Sequence, residues 1–255
     1  MDEPPPELFS IVHYDAPLGS NVAYASPVEE GARRAAIVWL VGGSDWGVSE
    51  TMWRDEPREN DQSASAFRKA DMVLMLPALR GWHDNPGDNQ CFLGEVDDVI
   101  AAADYLASRP DVDPDRIYLG GHSTGGTMAL LAAASSNRYR AVFAFGPRED
   151  ATLHKDCVPE GTTGEERRLR APVEHMADIT TPTFVIEGEE GNLYQLRLLE
   201  ERRGDAPITF IEVPGADHFT VLLPGEETIV EAIATDVGDE VRLSITAAGI
   251  LSRMQ

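Results

Sequence analysis

The chain has 255 residues, 42% hydrophobic and 25% charged, enough apolar material to bury the core of one large α/β unit. Asp and Glu outnumber Lys and Arg by 44 to 21, a formal net charge of −23, and so acidic a surface repels polyanions, which argues against nucleic acid or an anionic membrane as partner. The two cysteines, Cys91 and Cys157, are too few for a disulfide framework, although the pair is free to bridge, and no CxxC or His/Cys cluster points to a metal.

Residues 1–7, acidic and proline-rich, read as a flexible leader. They lack the basic start and apolar run of a signal peptide, and no stretch of 18 apolar residues follows, so a soluble, cytoplasmic protein is expected. Residues 8–255 read as a single domain. Residues 8–13 and 21–25 are short extended candidates around the turn residues Pro17 and Gly19. Residues 35–41 (AAIVWLV), stopped by Gly42-Gly43, and 72–76 (MVLML), stopped by Pro77, are continuous apolar runs of the kind found in strands buried on both faces. Helical spacing of Val96, Val99, Ile100, Ala103 and Leu106 predicts a helix over 95–106, closed by the prolines of 109–115. Residues 116–120 read as a strand, 125–134 as a buried helix and 141–145, 183–186 and 208–213 as strands. Residues 193–203 and 226–237 read as helices. Strands alternating with helices predict βαβ units, a mostly parallel sheet with helices on both faces, and a site at the strands' carboxyl ends. Residues 147–178 break the alternation and read as an insertion or lid.

One segment carries chemistry. Gly121-His122-Ser123-Thr124-Gly125 is a G-x-S-x-G pattern placed after a predicted strand and before a predicted helix. A sharp strand-to-helix turn exposes a serine Oγ there, and small residues two before and two after it allow the close packing such a turn needs. Ser123 is therefore the candidate nucleophile. The N–H of Thr124, at the helix start, is placed to stabilise an oxyanion. A second donor is expected from the loop after residues 35–41, Gly43 in preference to Ser44. Of the six histidines, His218 in Pro214-Gly215-Ala216-Asp217-His218-Phe219 follows the last strong strand and follows Ser123 in the chain, as a Ser–acid–His order requires. The other five are read as structural, with the side chain of His122 turned away from Oγ.

With these residues in view, the chain resembles the α/β-hydrolase superfamily. The stretch from Ala78 to Ala134 is most similar to prolyl-oligopeptidase-like and dienelactone-hydrolase-like catalytic domains. Arg80-Gly81, the run Gly94-Glu95-Val96-Asp97-Asp98-Val99 and Asp113-Pro114-Asp115-Arg116-Ile117 carry the likeness beside the serine motif, and it extends over about residues 8–237. The resemblance implies a sheet of about eight strands and a Ser/acid/His triad, and 255 residues leave no room for the β-propeller of full prolyl oligopeptidases. It places the triad aspartate after the seventh strand, in a pattern like G-x-x-D, where this chain has Gly191. Glu190 is then the first expectation for the acid, with Glu189 and Asp150 as alternatives. Asp217 is expected to point elsewhere.

The reading is a serine hydrolase that uses no cofactor or metal and cleaves a carboxylic ester, in preference to an amide or short peptide, through an acyl-enzyme. The rival is a catalytically silent hydrolase-fold binding protein, favoured by Gly191. A cofactor-free haloperoxidase or lyase on the same residues is a third reading. Trp46, Trp53 and Trp82 are candidates to line a cleft. Arg80 is a candidate for a substrate carboxylate or for pairing with one of the many acids, and Asp97 and Asp98 complement a helix dipole.

Overall fold

The computed structural model describes residues 1–43, 46–154, 157–158 and 160–254. Strands β1 (Ser10–Ala16), β2 (Gly19–Ala25), β3 (Arg34–Leu40), β4 (Val73–Pro77), β5 (Val112–His122), β6 (Val142–Phe145), β7 (Thr183–Gly188) and β8 (Ile208–Val213) form one sheet, in the order β1-β2-β4-β3-β5-β6-β7-β8. The β1–β2 and β2–β4 pairs are antiparallel, and every pairing from β4 through β3 to β8 is parallel. This is the α/β-hydrolase sheet.

The continuous apolar runs have a direct cause. Along β3, Ala36, Val38 and Leu40 belong to the core on one face of the sheet, while Ile37 and Trp39 belong to the core on the other. The helices are α1 (Ser65–Lys69), α2 (Glu95–Ser108), α3 (Thr124–Ser135), α4 (Gly164–Leu169), α5 (Leu193–Arg202), α6 (Leu222–Thr235) and α7 (Ala247–Leu251). Helices α2, α3 and α5 supply Val99, Met128 and Leu199 to the first core, and α1, α6 and α7 supply Phe67, Ile229 and Ile250 to the second. No helix among the described residues is long and apolar enough to cross a membrane.

Element ends depart from the sequence expectations for identifiable reasons. β5 starts at Val112, which pairs with Arg34 before the ladder skips to Ala36 and Ile117. Pro114 falls in the skipped stretch, where its missing N–H breaks no ladder bond. α6 starts at Leu222 rather than 226, because Pro224 lies in the first helical turn, where backbone N–H groups have no intrahelical acceptor. β7 runs two residues beyond 186, with Glu187 opposite Glu212 and Gly188 opposite Val213.

The stretch expected as a leader is seated on the body: Tyr24 Oη donates to the Asp2 carbonyl at 2.7 Å, and Pro4 is buried. Between β6 and β7 the chain forms short 3-10 turns and α4. Cys91 and Cys157, a pair the sequence leaves open, are joined by a disulfide with Cα atoms 5.6 Å apart. The bond fastens this segment to the loop before α2. Phe92 stacks on His154 and meets the edge of Trp46, and Arg170 donates to the carbonyls of Cys91 and Gln90.

Candidate active site

β5 ends at His122 and α3 begins at Thr124, so Ser123 alone makes the turn, with φ 56° and ψ −112°. A non-glycine residue so far from the allowed regions is strained and persists only where its surroundings hold it. The hold is visible. Ser123 N–H donates to the Phe145 carbonyl at 2.8 Å, and its own carbonyl accepts from Thr127 N and Thr127 Oγ1 at 2.9 and 3.0 Å. The flanking glycines are required by contact: a Cβ on Gly121 would lie 2.5 Å from the Gly125 carbonyl carbon, and one on Gly125 would lie 2.7 Å from that of Leu40. Ser123 is half-buried between fully buried neighbours, so the turn presents its side chain at the surface of the core.

The loop after β3 adjoins this turn. A Cβ on Gly42 would lie 3.4 Å from Ser123 Cβ and 3.0 Å from His122 Nδ1. Gly43 has φ 97°, a glycine conformation, and its carbonyl accepts a hydrogen bond from Thr124 Oγ1, which fastens the two candidate oxyanion residues to each other. Ser44, the alternative to Gly43, lies outside the described residues.

His218 enters from the loop after β8. Asp217 does not reach its ring. The Asp217 carboxylate accepts from the backbone N–H of Thr220 and Phe219, both at 2.8 Å, and these bonds hold its pKa below the ordinary carboxylate value. Asp217 thus builds the turn that presents His218.

The carboxylate at His218 is Glu187, which the sequence reading did not consider. Its Oε2 lies 3.0 Å from His218 Nδ1, and the Glu187 side chain is fully buried at the end of β7. Glu187 also accepts from the N–H groups of Gly188 at 2.8 Å and Asn192 at 2.9 Å. The expected acids are elsewhere. Glu190 is exposed, and its backbone N–H donates to the Ala216 carbonyl at 2.9 Å. Glu189 is exposed and accepts from Gly215 N–H. Asp150 is occupied by Arg167 and Thr152. Gly191 explains the exchange. A Cβ there would lie 2.8 Å from Glu187 Cδ, so the missing side chain leaves the space that the Glu187 carboxyl fills. Gly146 does the same from the opposite wall, since a Cβ there would lie 2.5 Å from His218 Nδ1 and 2.8 Å from Glu187 Oε2.

His122, read from the sequence as structural with its side chain turned away from Oγ, packs against the His218 loop. Its Nε2 donates to the His218 carbonyl at 3.0 Å and its ring lies 4.5 Å from that of His218. Burial, with the neighbouring His218 as a lesser cause, pushes its pKa down to about 3, so the ring is neutral. Phe219, exposed at the mouth, sits edge-on to both rings.

The remaining candidates are structural. Arg80 is buried and clamps Asp98 through Nε at 2.9 Å and a second guanidinium nitrogen at 2.7 Å, so it is not available to a substrate carboxylate. Trp46 is buried against Phe92, and Trp53 sits edge-on to Tyr24. Trp82 is partly buried and packs against the first core. Among the described residues no group of three or more His, Cys, Asp or Glu is gathered to hold a metal.

Sheet order, turn and covering helices define an α/β-hydrolase. Residues 64–193, half of the chain, match the prolyl oligopeptidase family, and the chain belongs to that family. An uncharacterized peptidase of Bacillus subtilis (strain 168), YtmA, is 29% identical over 154 residues, 53% of this chain and 60% of that protein. The acylaminoacyl peptidase of Pyrococcus horikoshii superposes with a TM-score of 0.73 at 14% identity, over 96% of this chain and 44% of that one. A hyperthermophilic esterase of the archaeon Pyrobaculum calidifontis superposes with a TM-score of 0.64 at 16% identity, over 88% and 82% of the two chains. This chain thus spans less than two thirds of the curated relative and of the peptidase.

Proposed function

We propose that the protein is a serine hydrolase in which Ser123, His218 and Glu187 act in sequence. The observation that carries the reading is the buried Glu187 carboxylate 3.0 Å from His218 Nδ1, at the same end of the strands as the strained, half-buried serine turn. With Nδ1–H donated to Glu187, His218 presents Nε2 as base. Ser123 Oγ gives its proton to Nε2 and attacks the substrate carbonyl carbon. The N–H groups of Thr124 and Gly43 hold the oxyanion. His218 then protonates the departing alcohol or amine, and the acyl group remains on Oγ. Water, deprotonated by the same nitrogen, releases the acid. Glu187 fixes the tautomer and stabilises the imidazolium, a task for which a glutamate serves as well as an aspartate.

Esters come before peptides in this reading, because the likeness to the Pyrobaculum esterase spans most of both chains. The silent alternative drew its support from Gly191, and Glu187 supplies the carboxylate that Gly191 lacks. The Cys91–Cys157 bond is of a kind that persists in oxidising compartments, which weighs against the cytoplasmic expectation.

The test is covalent labelling by a fluorophosphonate. Wild-type protein is expected to label, Ser123→Ala to lose labelling completely, and His218→Ala and Glu187→Gln to slow it by at least about 100-fold. Glu190→Gln is expected to label at the wild-type rate. An ester panel on the wild type follows. Folded wild-type protein that does not label would sink the reading.

A further inference from the structure

Gly42, in the loop after β3, rests against Ser123 and His122. It also lines a cavity of about 300 Å3 shared with Val41, Ser49, Met52, Glu56, Asn60 and Gln62, a volume at the small end of the range for small-molecule sites. Cavity and candidate nucleophile therefore adjoin the same glycine. Val41 and Met52 give it an apolar portion, and the other named side chains are polar. Gln62 Nε2 donates to Asn60 Oδ1 at 2.9 Å, and the Asn60 amide donors and the Gln62 carbonyl are not used in that bond. Glu56 is the one charged side chain on the described lining. The two arginines that flank Glu56 in the chain are engaged elsewhere: Arg54 pairs with Glu50 at 2.6 Å, and Arg58 forks onto Glu227 at 2.6 and 2.7 Å. Among the described residues nothing pairs with the Glu56 carboxylate.

We propose that this cavity is the substrate subsite on the oxyanion-loop side of Ser123, and that it takes a polar arm carrying a protonated amine. The inference rests on the serine-hydrolase reading above. An unpaired carboxylate beside neutral hydrogen-bonding groups and an apolar patch suits an aminoalkyl or amino-alcohol arm. An anionic arm would meet Glu56 directly, within the field of a chain of net charge −23.

Two fluorophosphonates with one warhead test it, one bearing an aminoalkyl arm and the other a hydroxyalkyl arm of equal length. In both, Ser123 Oγ forms the bond to phosphorus, fluoride departs, and the serine proton passes to His218. The readout is the ratio of second-order labelling rates, amine over hydroxyl. Glu56→Gln is expected to lower the ratio about fivefold, as loss of an exposed charge pair does, and Glu56→Lys to lower it further. Glu56→Asp should keep most of it, and added salt should erode it more in the wild type and Glu56→Asp than in Glu56→Gln. The hydroxyl probe gives each of the four proteins its own reference rate, and far-UV circular dichroism reports whether the exposed Glu56 changes leave the fold intact. A ratio unmoved by Glu56→Gln, or an equal fall for both probes, overturns the subsite and leaves the hydrolase reading standing. Failure of both probes on the wild type overturns the hydrolase reading itself.

Discussion

Glu187 and Gly191 reach one place in the site from two directions, and each makes sense only beside the other. A side chain at 191 would collide with the Glu187 carboxyl, while the glycine leaves room for a buried glutamate to lie along the imidazole. Glu187→Ala is expected to cut turnover by about 1000-fold or more. Adding Gly191→Asp to that variant brings a carboxylate into the vacated space from the loop, and part of the activity should return. In the wild-type background Gly191→Asp should lower activity, because two carboxylates then compete for one place. Ester turnover by the four proteins measures this directly, and no recovery in the double variant would show that the carboxylate position is not interchangeable. His122 makes a separate demand. Its pKa, about 3 against an ordinary 6.5, means that the unfolded chain takes up a proton below pH 6.5 while the folded protein stays neutral there. Stability is therefore lost as pH falls from about 6.5 toward 3, by up to about 1.4 kcal/mol per pH unit from this residue. His122→Asn keeps a donor without a titration, and urea midpoints at pH 7 and pH 5 should differ less in that variant than in the wild type.

The elements carrying these residues were unevenly legible, and the reasons are local. The serine turn announces itself because small residues must stand two before and two after the serine and because strand and helix patterns flank it. The Gly125 contact with Leu40 shows how tight that demand is. Gly125→Ala forces β3 and α3 apart and is expected to cost about 1–3 kcal/mol in urea unfolding, with slowed fluorophosphonate labelling. Wild-type stability and labelling in this variant would show that the turn has slack. His218 was singled out because it follows the last strong strand and follows Ser123 in the chain. Glu187 was not, because the apolar run TFVI ends at Ile186 and the next residue is charged, so the expected strand stops two residues short. β7 in fact continues to Gly188. A Cβ on Gly188 would lie 2.5 Å from the Ala216 carbonyl carbon, so that glycine brings β7 close to the His218 loop and puts Glu187 beneath the imidazole. A charged residue ending an apolar strand beside a glycine was the available signal. The layered architecture was easier to read, since two-sided burial writes whole runs of apolar residues, whereas α1, α4 and α7 have five, six and five residues, too few for a helical period to show.

On the scale of the whole molecule, a disulfide fastens the long connection between β6 and β7 to the loop before α2. Residues 147–178 are poor in long apolar runs, and the ties of their described residues to the body include the Phe92–His154 stack, the Arg170 bonds, the Arg148 and Glu149 N–H bonds to Thr127 and Gln195, Ala151, Val158 and Met176 in the first core, and the Cys91–Cys157 bridge. The bridge spans 66 residues, and closing a loop of that length in the unfolded chain corresponds to about 4 kcal/mol in the chain-entropy account. Protein purified without reductant is expected to show no titratable thiol under denaturing conditions, and dithiothreitol should release two. The Cys91→Ser/Cys157→Ser variant should unfold at lower urea, and proteases should cut it sooner within 147–178 than elsewhere, because α5 and β7 keep their own core contacts. The serine turn and His218 belong to the sheet edge and not to this segment, so fluorophosphonate labelling of Ser123 should survive in the double variant under conditions where it remains folded. If labelling vanished while stability was unchanged, the bridge would be shaping the site itself, through the Trp46–Phe92 contact that joins the Cys91 loop to the loop after β3.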